Sequence, residues 1–420
     1  MARLAPIPLA GMIAATATFA LAATEATAQT TPACPPETGS ACRIDQTQTG
    51  EVTGTVDLDV AVGQLTVINT ATGNHVVGGV QSTHGAVVSR QILTGATSAR
   101  TPVALNGVSD GFVDSTTQAA GNQFQVSTDG ATFDVDAGQS ARGDNVSART
   151  DLHGPSAHIL QGGRVASGAT ANAVAMGGPS TILTGRVGQT SQTTVFAETV
   201  ADIQYVPAPL IVSADAQGNA AQAVTTGPSH QALTVDQTNA ASTIEARTSV
   251  YVDNAWNLAG RSNASANRAT LQNSGGSMIA DTTQDNQGRV RAYTRVQTNL
   301  QGQTTAGARA VANEVVAGVN DIYLKLNNDQ LNSGGVEATA EYVGVKGYDS
   351  YVSAEAAGNS VVGYACSQCG GEVNVDNTQV NTGPVSATAN VSIAQPGRAA
   401  VVGSNAVGNT ATFYISRPGG

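Results

Sequence analysis

Hydrophobic and polar residues alternate along this chain with a period of two. In LTVDQ (Leu233–Gln237), Leu and Val face one side and Thr and Asp the other. VNVDNTQ (Val373–Gln379), IEARTSVYV (Ile244–Val252) and VSATANVSI (Val385–Ile393) follow the same rule. Strict alternation over such lengths predicts half-buried β-strands. Clusters of Gly, Asn and Asp punctuate them and predict turns. No segment carries a convincing helical period. Ala264–Ala269 has helical propensity, but it occupies a place that reads elsewhere in the chain as turn and strand.

The alternation is itself repeated. A small residue followed by Asn recurs at Asn74, Asn122, Asn172, Asn219, Asn267, Asn313, Asn359 and Asn409, at spacings of 46 to 50 residues. A second column holds Gln91, Gln139, Gln189, Gln237, Gln284, Gln330 and Gln379. It lies 17 or 18 residues after the Asn in six repeats and 20 after it in the last. A third column is Ala99, Ala148, Ala197, Ala246, Ala292, Ala338 and Ala387. Three columns in register mark a unit of about 47 residues, which must stack on its neighbours to bury a core. The fold expected is all-β: an elongated, solenoid-like stack of about seven repeats with three or four short strands in each. Amides recurring once per unit can form side-chain ladders along a stack. The Gln column is read as such a ladder. The Asn column fits either a ladder or a left-handed turn, which favours Asn.

Composition supports a thin stack. Charged residues are 12% and aromatic residues 4% of the chain, while Gly numbers 47. Large side chains to fill a thick core are scarce, and so is the charge that solvates a disordered chain. The net charge of −11, with Lys325 and Lys346 the only lysines, argues against nucleic acid as a partner.

The ends predict export. Met1-Ala2-Arg3, an apolar run over Leu9–Ala23 and Ala26-Thr27-Ala28 form a secretory signal with cleavage near Gln29. The expected organisation is a signal over 1–28, a Cys-bearing segment over 29–45, the repeat array over 46–409 and a C-terminal strand and tail over 410–420. Cys34 and Cys42 form one close pair, and Cys366 and Cys369 another. In an oxidising compartment two local disulfides are the first expectation. For the C-x-x-C of the second pair, metal binding, redox chemistry and free thiols remain alternatives. That pair lies in the segment carrying the extra residues of its repeat.

Catalytic chemistry is thinly represented. No nucleophile elbow, phosphate loop or zinc-protease motif occurs, and no cofactor is expected. The five histidines show no metal-ligand spacing. Asp57 with Asp59 and Asp134 with Asp136 alternate along their strands. Such pairs could serve polysaccharide cleavage or simply keep a surface soluble. Arg100, Arg149 and Arg247 follow the Ala column and could touch an acidic polysaccharide. Glu198, Tyr293, Thr339 and Thr388 interrupt them.

The Gly-Asn turns in AAGNSVV and AVGNTATFYI, with the later Gln, loosely resemble curlin-type amyloid repeats, although the period is about twice a curlin unit. An exported Ala- and Thr-rich chain of this length, with an early Cys pair and a late ACSQCG, looks more like the holdfast anchor protein HfaD group of stalked bacteria. That resemblance implies a non-enzymatic surface protein, associated with the outer membrane, that fastens an adhesive polysaccharide to the cell. It implies as partners the polysaccharide and other anchor proteins, including a curli-like one, and carries over no catalytic residue. Scarce edge charge adds an expectation of self-association. An outer-membrane β-barrel and a secreted β-helix enzyme acting on polysaccharide are the alternatives.

Overall fold

A computed structural model describes residues 41–240, 243–366, 372–395 and 397–416, without the side chains of residues 366 and 416. They belong to one unit within Pro36–Gly420. No helix occurs among them. The strands pair in parallel, each with its equivalent one repeat away. This is a β-solenoid. A membrane barrel closes with antiparallel strands, so the barrel alternative does not describe this architecture.

Each coil has three sides. The first passes through β1 (Ala41–Gln48), then β2 (Val52–Thr55) and β3 (Leu58–Val60), then β4 (Leu65–Gln81). The second repeats these sides as β5 (His84–Leu93), β6 (Thr97–Leu105) with β7 (Val108–Ser109), and β8 (Val113–Asp129). The third comprises β9 (Thr132–Ala141), β10 (Asn145–Ile159) and β11 (Gly163–Pro179). After β12 (Ile182–Ser191) the backbone stays extended around corners, so β13 (Thr194–Asn239), β14 (Thr243–Asn286) and β15 (Arg289–Val319) each span several sides. β16 (Tyr323–Asn332) and β17 (Val336–Cys366) complete the seventh coil; β18 (Glu372–Asn381), β19 (Val385–Ile393) and β20 (Ala399–Ser416) form the last. The eight asparagines therefore mark eight coils, and the seven intervals between them correspond to the seven repeats read from the sequence. The three or four short strands expected per repeat are three sides, merged into long strands where the corners stay extended.

The longest side changes parity midway. In β11 every second residue from Val165 is buried up to Ala171, yet Asn172 is buried too, and from there the alternate set points inward. Ala171 and Gly121 are left unpaired together, while Thr170 and Asn172 pair with Ala120 and Asn122, so the register is kept across the break. The change of parity lets both halves of the side face the interior. The first half packs with the Ala-column side in one apolar cluster; the second half packs with the Gln-column side in another. The position where the parity changes must be small. A Cβ added at Gly121 would lie 2.6 Å from the Ala171 carbonyl oxygen and 2.7 Å from Leu93.

The Ala column stacks in register from Ala99 to Ala387 inside the first cluster. Its residues are fully buried through most of the stack. One corner is glycine in most coils. A Cβ on Gly143 would meet the Gly95 carbonyl at 2.1 Å, and one on Gly383 the Gly334 carbonyl at 2.0 Å. Where two such glycines stack, the backbones approach too closely for side chains.

Candidate functional site: amide ladders, interleaved charges and the last described coil

The eight Asn side chains stack in an unbroken row. Each Nδ2 donates to the Oδ1 of the next Asn, from Asn74 to Asn409, at 2.7 to 2.8 Å. The second Nδ2 proton goes to a backbone carbonyl across the coil. Asn122 donates to Ser140 O at 3.1 Å, Asn172 to Thr190 O at 2.9 Å and Asn313 to Leu331 O at 2.8 Å. These asparagines lie within strands. The non-Gly residues with positive φ among the described residues are Ser82 and Ser180, so the left-handed turn reading of the Asn column does not hold.

The Gln side chains form a second row of opposite polarity. Gln91 donates to Gln46, Gln139 to Gln91, and so on to Gln379, at 2.7 to 2.9 Å. Each Nε2 also reaches the carbonyl that follows an Asn, as Gln237 does with Arg268 O at 2.9 Å. Gln189 joins that network through Ala220 O at 3.0 Å. The two rows thus clip the longest side to the Gln side across the interior, where buried amides have no water to bond.

One further residue and one further row lie outside the Asn, Gln and Ala columns of the sequence. Gln46 opens the Gln row; it is visible as a Gln 45 residues before Gln91, but no Asn precedes it to flag it. A third row joins Asn239, Asn286, Asn332 and Asn381 at 2.6 to 2.7 Å, with second bonds from Asn286 to Gly288 O and from Asn332 to Gly334 O. Its signature is Q-x-N two residues past the Gln column, present from Gln237 onward.

Along the Ala-column side the outer face alternates cations with carboxylates. Arg100, Arg149, Glu198 and Arg247 share one register column. Arg149 pairs with Glu198 at 2.8 Å and with Asp151 at 2.8 Å, and Arg247 pairs with Glu245 at 2.7 Å. Asp151 and Glu198 hold the Arg149 guanidinium above its usual value, through the Asp151 hydrogen bond first and against partial burial. The Arg stripe is therefore interleaved with carboxylates. Asp134 and Asp136 lie on the outer face of β9. Asp136 pairs with Arg90 at 2.5 Å, and Asp134 accepts from Thr184 at 3.0 Å. Asp59 accepts from Asn106 at 2.6 Å, and Asp57 is exposed.

No group of three His, Cys, Asp or Glu among the described residues is arranged to hold a metal ion. Cys42 is disulfide-bonded. Cys34 and Cys369 lie outside the described residues; Cys366 ends β17, with its backbone paired to Ser416.

No described residue covers the outer edge of the last described coil. Val373 and Val375 of β18 and Val385, Val391 and Ile393 of β19, interior residues by register, are only partly covered. Val401, Val402, Tyr414 and Ile415 of β20 are exposed. Asn409 donates to Gln379 O at 3.3 Å, and no donor among the described residues reaches Gln379 Oε1. The rows that run the length of the stack end here with bonding capacity left over.

No curated protein and no solved structure matches the chain. The family model for holdfast attachment protein D matches residues 59–335, a span that runs from β3 to the corner before β17. That match covers most of the ladder-bonded stack, and the chain belongs to the holdfast attachment protein D family.

Proposed function

We propose that this protein is a non-enzymatic surface anchor that fastens an adhesive, holdfast-like polysaccharide to the outer membrane. The observation that carries this reading is the outer edge of the last described coil, on a stack otherwise bonded rung to rung. Solenoids that serve only as soluble scaffolds cover such edges with polar capping repeats. Among the described residues this edge presents partly covered apolar side chains, unpaired strand edges and unfinished amide rows, which together form a docking surface. Other anchor proteins of similar stacked architecture, a curli-like one included, or second copies of this chain, are the partners that end fits. The outer carboxylates, engaged by Arg90 and Thr184, support a surface role for those residues rather than a catalytic one.

Cell fractionation combined with protease shaving of intact cells tests the reading. The protein is expected in the outer-membrane fraction, cut from outside, and its deletion is expected to shed adhesive into the medium. A periplasmic, protease-protected protein whose deletion leaves the adhesive in place would overturn it.

A further inference from the structure

One corner of the stack differs from the rest of the surface. At the turn between the Ala-column side and the longest side, Trp256 is 62% exposed and Tyr348 is 56% exposed. Their rings meet edge to face with centroids 6.2 Å apart. Between them in the stack lies Gly302, whose missing side chain makes room for the indole: an added Cβ would sit 2.9 Å from the Trp256 ring. A groove of about 560 Å³ follows this corner through Leu300, Gly302, Lys346, Gly347, Tyr348 and Arg398. A second hollow of about 270 Å³, lined by Tyr205, Pro207, Asn254 and Trp256, continues it on the other side of the indole. From Tyr205 to Arg398 the corner spans five coils, about 19 Å at ~4.8 Å per coil.

We propose that this corner is a binding groove for a neutral polysaccharide chain, its pyranose rings lying against Trp256 and Tyr348. The proposal rests on the surface-anchor reading and assigns the contact to specific residues. Large exposed aromatics grouped on a soluble surface mark an interaction site. Flat ring faces and a glycine shelf suit the apolar faces of sugar rings, and a sugar ring is about as long as one coil spacing of ~4.8 Å. A periodic polymer thus meets a periodic edge.

The charges select the class. Arg398 donates from Nε to Asp349 Oδ1 at 2.9 Å and is compensated. Lys346 makes no ion pair among the described residues and can donate to a hydroxyl or acyl oxygen. One such cation in the groove of a chain of net charge −11 is a poor counterpart for a polyanion. A peptide adding as a strand would seek the unpaired edges at the ends of the stack, not this corner.

Trp256 is the single tryptophan of the chain and reports on its own groove. Purified full-length mature protein is titrated with cellohexaose, chitohexaose and hexagalacturonate while tryptophan emission is followed at low and high salt. A saturable blue shift with a neutral hexasaccharide, unchanged by salt, is expected. Tyr348→Ala, which keeps the reporter, is expected to weaken it at least tenfold at an unchanged melting temperature, and Gly302→Leu to block it. Silence with both neutral sugars overturns the groove. A salt-sensitive response to hexagalacturonate alone overturns the neutral class. Either failure leaves the shedding of adhesive on deletion unaffected, so the anchor reading stands or falls separately.

Discussion

Asn267 shows what one residue contributes to this stack. It accepts from Asn219 at 2.8 Å, donates to Asn313 at 2.8 Å and donates to Asp285 O at 2.9 Å, while fully buried. Asn267→Ala removes all three bonds and strands buried partners on both neighbouring coils. Leaving such groups unmet costs more than a bond contributes, so a loss of about 2–4 kcal/mol is expected. Hydrogen exchange resolved by segment is the measurement to use, because a stack of repeats does not unfold as two states. Protection should fall from the fourth to the sixth coil and persist at both ends. Tyr342 gives a second test at this scale. Its hydroxyl lies 2.9 Å from Thr298, and its tip fills the space left by Gly344, where a Cβ would lie within 2.2 Å of it. Burial raises its pKa, against the lowering effect of that hydrogen bond. The unfolded phenol ionises near 10 while the folded one keeps its proton. Its stability contribution is thus complete below pH 10 and declines as pH rises toward the folded value. Tyr342→Phe should cost about 1 kcal/mol at neutral pH. It should also make the alkaline fall in melting temperature shallower.

At the scale of the element, register decides what each side presents. The period of two made the strands legible, and the Asn, Gln and Ala columns made the stacking legible, because each is the same residue type returning to one place. The change of parity in the longest side was not legible. A small residue before Asn reads equally as a turn until Ala171 and Asn172 are seen to be buried side by side. Nor could the sequence show that strands such as β13 continue around corners, since extended backbone there leaves no change of alternation to detect. The Asn239 row was written in the chain as Q-x-N but lay outside the columns sought. The Arg stripe is the instructive case: in sequence Glu198 interrupts it, whereas in register Glu198 sits between Arg149 and Arg247 and pairs with both, at 2.8 and 3.8 Å. Glu198 is only 9% exposed, and Arg149 and Arg247 keep Asp151 and Glu245 when it is replaced. Glu198→Gln should therefore cost about 1–3 kcal/mol, as removing one partner of a buried charged contact does, without freeing either cation. Segment-resolved hydrogen exchange is expected to show lower protection on the Ala-column side of the third to fifth coils. Unchanged protection there would show that Glu198 does not hold the two arginines.

At the scale of the whole stack, the two ends of the described coils complement each other. The first coil presents a Gln, an Ala-column and a long side in β1, β2 with β3, and β4; the last presents the same three in β18, β19 and β20. Polarity matches as well. The Asn row donates toward the C-terminal end and finishes on Asn409 Nδ2, while Asn74 Oδ1 receives no donor among the described residues. The Gln row donates the other way. Gln46 Nε2 has spent one proton on His75 O at 3.0 Å, and Gln379 Oε1 is open. A second copy placed on the last coil would continue both rows without reversing a dipole and would cover Val52, Leu58 and Val60 of one end with Val385, Val391 and Ile393 of the other. Such a head-to-tail contact is heterologous and does not close, so it grows as a linear filament. Lysines on an edge prevent such growth, because stacking would bury their charge. Ala389→Lys with Val402→Lys is expected to leave the inner coils folded while abolishing association. In sedimentation velocity over a range of concentrations, the native protein should shift to larger species as concentration rises, and the double variant should stay at one size. If both remain monomeric, the open end awaits a different protein; if both associate alike, the contact lies elsewhere on the molecule.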